Sequence, residues 1–119
     1  MLVYSKLEQL SDEGFVSFDL IANWAKNIEG EFNARVRIDY QAGPVLAGIY
    51  RQDAAKADLS WPFTEHAFVL EGEVIVTDQE TGASKTYGPG DGWIIQQGSR
   101  TTWETKGKFA KSFFGVMSQ

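Results

Sequence analysis

Two charged side chains stand in apolar surroundings. Glu65 lies in the run Trp61-Pro62-Phe63-Thr64-Glu65-His66-Ala67-Phe68-Val69-Leu70, and Lys111 lies between Phe109 and Phe113. Strand parity puts Glu65, Ala67 and Val69 on one face and His66, Phe68 and Leu70 on the other. A carboxylate on a buried face needs a metal, a cation or hydrogen bonds, because an isolated buried charge is expensive. A lysine spaced at period two from phenylalanines either snorkels to a rim or points inward; an exposed position on an edge strand is the other reading. His66 is the sole histidine, and alternation sends it away from Glu65. There are no cysteines, which removes thiolate nucleophiles, thiolate metal sites and disulfides. What remains is carboxylate and ammonium chemistry: acid–base work, or recognition of a small molecule by charge.

Those residues need strands to position them. From Glu31 the sequence takes period two, with Phe32, Ala34, Val36, Ile38 and Tyr40 alternating with Asn33, Arg35, Arg37 and Asp39. That alternation predicts a half-buried strand. Gly43-Pro44 predicts a turn, 45–51 a strand and 52–59 a polar loop. Further strands are expected at 65–70, 73–78, 84–87, 93–96, 100–105 and 109–117, with turns at Glu71-Gly72, Thr81-Gly82 and 88–92. Many short strands with Gly-rich turns predict an all-β sandwich or barrel. The first thirty residues lack this pattern. A turn is expected at 11–14, and 20–25 reads as a short helical turn or an irregular segment. Residues 1–30 are therefore expected to form an N-terminal arm and 31–119 the barrel.

At 119 residues, one domain is expected, large enough for a core without disulfides. The net charge of −5 argues against a nucleic-acid partner. No apolar run reaches membrane-spanning length. The first residues lack the long apolar core of a secretory signal. No membrane partner and a cytoplasmic location are expected.

Two fragments carry a family resemblance. In the first, Glu65 and Gly72 are separated by six residues; the second holds Gly90, Gln96, Gly98, Thr101 and Thr105 in order. Together they resemble the cupin superfamily (RmlC-like), single-domain jelly-roll-like barrels in which two short motifs place three His and one Glu around a metal. Within it, the chain is similar to the ureidoglycine aminohydrolase-type cupin domain branch. That likeness rests on Trp61-Pro62-Phe63-Thr64-Glu65, on Leu70-Glu71-Gly72-Glu73-Val74-Ile75-Val76-Thr77-Asp78, on Gly90-Asp91, on Gly98-Ser99-Arg100-Thr101-Thr102-Trp103-Glu104 and on Lys111 in the last strand. It covers residues 48–116. The resemblance implies that Glu65 points into the barrel. It also shows what is missing, since the family's His positions read Leu59, Trp61 and Thr101, or Asp58 and Ser60 on the alternative spacing. No metal and no cofactor are expected, and the branch's metal-dependent aminohydrolase activity is not carried over.

With the histidines gone, the resemblance points to Lys111 as the partner of Glu65, standing where the metal would be. Trp103 shares parity with Thr101, Trp61 occupies a ligand position, and Tyr50 lies on the adjoining strand. The expected ligand-binding set is Tyr50, Trp61, Glu65, Thr101, Trp103 and Lys111, with Glu65 and Lys111 the candidate catalytic pair. Rings in those places either wall a pocket or fill it as solid core. Three functions stay open: a binder of a small polar metabolite, an enzyme of ureide or amino-metabolite chemistry using Glu65 as acid or base, and an accessory protein with a vestigial pocket. On the other face, Phe68 and Leu70 with the Phe32/Val36/Ile38 stripe are more apolar than a solvated sheet face should be. Either the N-terminal strand or a second subunit would cover it, and the resemblance makes a homodimer the expected answer.

Overall fold

The computed structural model describes residues 12–19 and 24–118. The segment expected to be a helical turn or irregular, 20–25, falls largely outside them. The described chain forms eleven strands: β1 Val16–Ser17, β2 Ala25–Gly30, β3 Arg35–Ala42, β4 Val45–Gln52, β5 Ala55–Ser60, β6 Thr64–Glu71, β7 Val74–Asp78, β8 Ser84–Tyr87, β9 Gly92–Ile95, β10 Arg100–Thr105 and β11 Phe109–Val116. A six-stranded sheet runs β1-β3-β4-β11-β6-β9 and a five-stranded sheet runs β2-β5-β10-β7-β8. Every pairing is antiparallel. The inner faces of the two sheets enclose the core, which makes a single-domain cupin barrel of the expected class. The residues before Glu31 supply strands to both sheets, β1 pairing with β3 and β2 with β5.

Alternation decides which side chains enter. On β6, Glu65, Ala67 and Val69 are buried while His66 and Phe68 are exposed. On β11, Phe109, Lys111 and Phe113 all point inward and are buried. Gly72, between β6 and β7, has φ of 75°, and a Cβ there would meet the Lys108 carbonyl oxygen at 2.1 Å. That turn therefore accepts glycine alone.

Two expectations are corrected. Residues 52–59 are not a loop: β4 runs on through Gln52 and β5 begins at Ala55. Ala55, Ala57 and Leu59 are buried while Lys56 and Asp58 lie outward. The period is two, but alanine and charged residues are weak strand formers, which hid it. Nor does the Phe32/Val36/Ile38 stripe belong to the outer face. Phe32 is core, Val36 lines a cavity, and Ile38 lies at the mouth of that cavity, 40% exposed. A bulge between Ile38 and Tyr40 shifts the register, so Tyr40 leaves that face and is exposed. The outer apolar residues are instead Phe68, Ile94 and Phe114, with Leu70 half-buried. They lie on three neighbouring strands, since Phe114 is registered with His66 and His66 with Ile94.

Candidate functional site

Neighbouring strands of the six-stranded sheet bring Glu65 and Lys111 together. Lys111 is registered with Tyr50 on β4 and with Val69 on β6. Glu65 lies four residues from Val69 on β6, roughly 13 Å along an extended strand. The two long side chains span that gap past Ala67, whose methyl group leaves room. Gly115 is registered with Glu65 and has no side chain, so the Phe63 ring packs there; a Cβ at Gly115 would meet it at 2.7 Å.

The ion pair is fully interior, with Glu65 1% and Lys111 4% exposed. Lys111 Nζ donates to Glu65 Oε1 at 2.9 Å and to Oε2 at 2.8 Å. Trp93 Nε1 donates to Oε1 at 3.0 Å. Four rings surround the ammonium, with centroids at 4.9 Å for Trp103, 5.1 Å for Trp61, 5.2 Å for Tyr50 and 5.7 Å for Trp93. Burial pulls the Lys111 amine below its ordinary value, and the Glu65 carboxylate works against that pull by charge and hydrogen bond. Burial, then the Glu65 charge, pushes the Tyr50 phenol up from its ordinary value.

A second polar cluster lies behind the rings. Gln52 is wholly buried. Its Oε1 accepts from Tyr50 Oη at 3.0 Å and from Trp103 Nε1 at 2.8 Å. Its Nε2 donates to Thr105 Oγ1 at 2.9 Å and to the Asp53 carbonyl at 3.1 Å. The rings also stack edge to face, Trp61 on Trp103 at 6.0 Å and Trp103 on Phe109 at 5.4 Å. Each such contact is worth about 0.5–1.5 kcal/mol beyond the area it buries.

Between this floor and the sheet edges lies a cavity of about 270 Å³. Tyr50, Trp61, Glu65, Trp103 and Lys111 line it, together with Trp24, Phe63, Phe113, Phe18 and the aliphatic Val36, Ile38, Leu46 and Leu59. The rings therefore wall a pocket and do not close it. Thr101 is inside the barrel but off the cavity wall, where its Oγ1 accepts from Trp61 Nε1 at 2.9 Å. His66 is exposed, with its ring 5.0 Å from that of Phe68. Three contributors escaped the sequence reading. Gln52 shares parity with Tyr50, a signal masked by reading 52–59 as loop. Trp93 enters through the pairing of β9 with β6, which spacing alone does not reveal. Trp24 sits in the segment read as an arm.

The donor set does not fit a metal. The carboxylate that would be the ligand already accepts three hydrogen bonds, and the neighbouring ligand positions hold an indole, a leucine and a hydroxyl engaged by that indole. Among the described residues no group of three His, Cys, Asp or Glu side chains is placed to hold an ion.

The model of the EutQ-like cupin domain matches residues 40–113. The chain belongs to that family. Among solved structures, this cupin is similar to a putative ethanolamine utilization protein Q from Salmonella typhimurium LT2, with 20% identity, 72% of this chain and 71% of that chain covered, and a TM-score of 0.62. It is similar to the EutQ protein of Clostridium difficile at 11% identity, covering 71% of this chain and 68% of that one, with a TM-score of 0.62. A DUF861 family protein from Thermotoga maritima shares 24% identity over 56% of this chain and 75% of that one, with a TM-score of 0.53. At these identities the likeness is one of fold. No curated protein matches the sequence. No helix among the described residues is long and apolar enough to cross a membrane.

Proposed function

We propose that this cupin is a small-molecule-binding module whose ligand enters the aromatic cavity and meets Lys111 and Glu65 at its floor. The observation that carries the reading is the pairing of an apolar cavity with one buried ion pair, the combination of apolar walls and few polar groups that ligand sites show. The expected polar metabolite narrows accordingly. Among the described residues, the ionic groups on the wall are Glu65 and Lys111, so a ligand with many polar atoms would leave most of them unpaired. The fitting ligand is a ring or short hydrocarbon chain with one polar group. Titration of intrinsic tryptophan fluorescence with toluene and benzyl alcohol tests this. A saturable change that Leu59→Trp abolishes supports the cavity; a flat response to both probes sinks it.

The segments 70–78 and 98–104 support a place in the ureidoglycine aminohydrolase-type branch. That branch's metal chemistry forms no part of the proposal, because Trp61 and Thr101 occupy the positions it needs. A homodimer through the outer face of β6, β9 and β11 fits the exposure of Phe68 at 47%, Phe114 at 46% and Ile94 at 73%. Light scattering after size exclusion would give a dimer for the native chain and a monomer for Phe114→Glu. A native monomer removes the idea.

A further inference from the structure

We propose that Lys111 is a carbonyl-reactive amine and that the cavity takes small apolar aldehydes, which Lys111 holds as an imine. This rests on the small-molecule reading above and names the chemistry of its ligand.

Four features of the site lead there. Among the described residues, Lys111 is the amine on the cavity wall, which apart from Glu65 is aromatic and aliphatic. An ammonium has three N–H groups; two atoms of Glu65 engage it, and among the described residues no third hydrogen-bond acceptor does. The Lys111–Glu65 pair is neutral as a unit. An anionic ligand would add an uncompensated charge to an apolar-walled cavity, whereas a neutral carbonyl adds none and its oxygen can take the remaining N–H. Finally, the four rings around Nζ favour a cation there whether it is an ammonium or an iminium. The burial that lowers the proton affinity of Lys111 also favours the free amine that attack requires.

The proton has a defined path. One ammonium proton passes to Glu65, which becomes a carboxylic acid, and the neutral amine is left with its lone pair. The lone pair attacks the aldehyde carbon. As the C–N bond forms and the carbonyl π bond breaks, the nitrogen gives up a proton and the oxygen gains one, yielding a carbinolamine. Glu65 returns its proton to the carbinolamine hydroxyl, the C–O bond breaks, and water leaves. The nitrogen lone pair closes the C=N bond of an iminium opposite a restored carboxylate. No oxidant, reductant or metal enters. Trp93, donating to Oε1 at 3.0 Å, holds the carboxylate in place through both transfers.

The test uses the whole native chain, benzaldehyde and butanal as probes, and sodium cyanoborohydride to trap any imine as a stable amine. Peptide mapping by mass spectrometry then reads every lysine, with the exposed Lys85, Lys106 and Lys108 as internal standards. Lys111 is expected to be labelled ahead of those three by about a hundredfold or more, the low end of what positioned acid–base help contributes. Labelling of the surface lysines with Lys111 untouched overturns the proposal. Toluene, which has no carbonyl, separates the two readings through tryptophan fluorescence. If toluene enters and Lys111 stays unlabelled, the binding module stands and the imine falls; if neither probe registers, both fall. Glu65→Gln is expected to slow Lys111 labelling, and labelling equal to that of the native chain would remove Glu65 from the proton path.

Discussion

The barrel holds two buried polar clusters on the two sides of the same aromatic wall, and they differ in what they leave over. Around Gln52, the groups engage one another: Oε1 takes two donors, Nε2 reaches two acceptors, and Thr105 closes the set on the Asp53 carbonyl at 3.1 Å. Around Glu65, the carboxylate is equally occupied, but the ammonium opposite it opens on a cavity of about 270 Å³. A network whose members satisfy one another specifies a fold and has nothing to offer a ligand. A buried ion pair on a cavity wall is a poor use of residues for stability alone, because a hydrophobic replacement of such a pair is often neutral or better. The difference is why the proposed binding role falls to the Glu65 cluster and not to the Gln52 cluster.

The sharpest way to break that assignment is to remove one charge. Glu65→Ala leaves Lys111 buried without its counter-charge and is expected to cost about 3–5 kcal/mol in urea unfolding. The double variant Glu65→Leu with Lys111→Met should recover most of that loss while benzyl alcohol binding is lost. A double variant that still binds as well as the native chain would show that the pair is not the recognition element. Next in size is Gln52→Leu, which strands the Tyr50 hydroxyl and the Trp103 indole N–H. The expected cost is about 1–3 kcal/mol, with toluene affinity within a factor of about two, since Gln52 does not line the cavity. A large loss of affinity would mean that the two clusters act as one.

Tyr50 joins them, with its hydroxyl on Gln52 and its ring on Lys111, and pH sharpens the comparison there. Burial and the Glu65 charge raise the folded phenol above its ordinary value of 10.0. Its stabilising contribution is therefore complete below pH 10 and is lost above it, where the unfolded chain releases a proton that the folded chain keeps. The loss is at most about 1.4 kcal/mol per pH unit. Lys111 has the opposite sign. Its folded value is depressed, so the unfolded chain holds the proton longer, and its contribution improves as pH rises toward 10.5. Comparing the native chain with Tyr50→Phe isolates the phenol. The variant should begin about 0.5–1.5 kcal/mol less stable near neutrality, and the gap should close above pH 10. Parallel curves through that range would mean that the phenol ionises as readily folded as unfolded.

The sequence carried the Glu65 cluster further than the Gln52 cluster, for a physical reason. The resemblance points Glu65 inward, and parity along its strand then sends His66 outward; the same parity groups Lys111 with Phe109 and Phe113, and both groupings hold in the structure. The Gln52 cluster depends on β4 continuing past Arg51 and on β10 lying across it, relations between strands far apart in sequence. Trp93 and Trp24 were illegible on the same ground, since β9 and β2 find their neighbours through the sheet order. Thr101 shows the limit of parity even where it succeeds: it faces inward as its strand requires, yet the Trp61 indole meets it before any ligand would. The outer stripe failed differently: β3 lies over the cavity, so Val36 faces it, and the bulge after Ile38 turns Tyr40 the other way.

The smallest expected effect is that of metal. In a barrel with three imidazoles, a chelator would remove a resident ion and its contribution to stability. Here a divalent ion would have to displace the Lys111 ammonium from both oxygens of Glu65, at 2.8 and 2.9 Å, and would gain no imidazole in return. Millimolar EDTA and equimolar zinc should each leave the urea midpoint unchanged, and elemental analysis of protein purified without chelator should find no stoichiometric transition metal. A zinc-dependent rise in the midpoint that survives Glu65→Gln would place a metal elsewhere on the chain and leave the comparison intact. A rise that Glu65→Gln abolishes would turn the ion pair into the apo form of a metal site and remove Lys111 from the floor of the pocket.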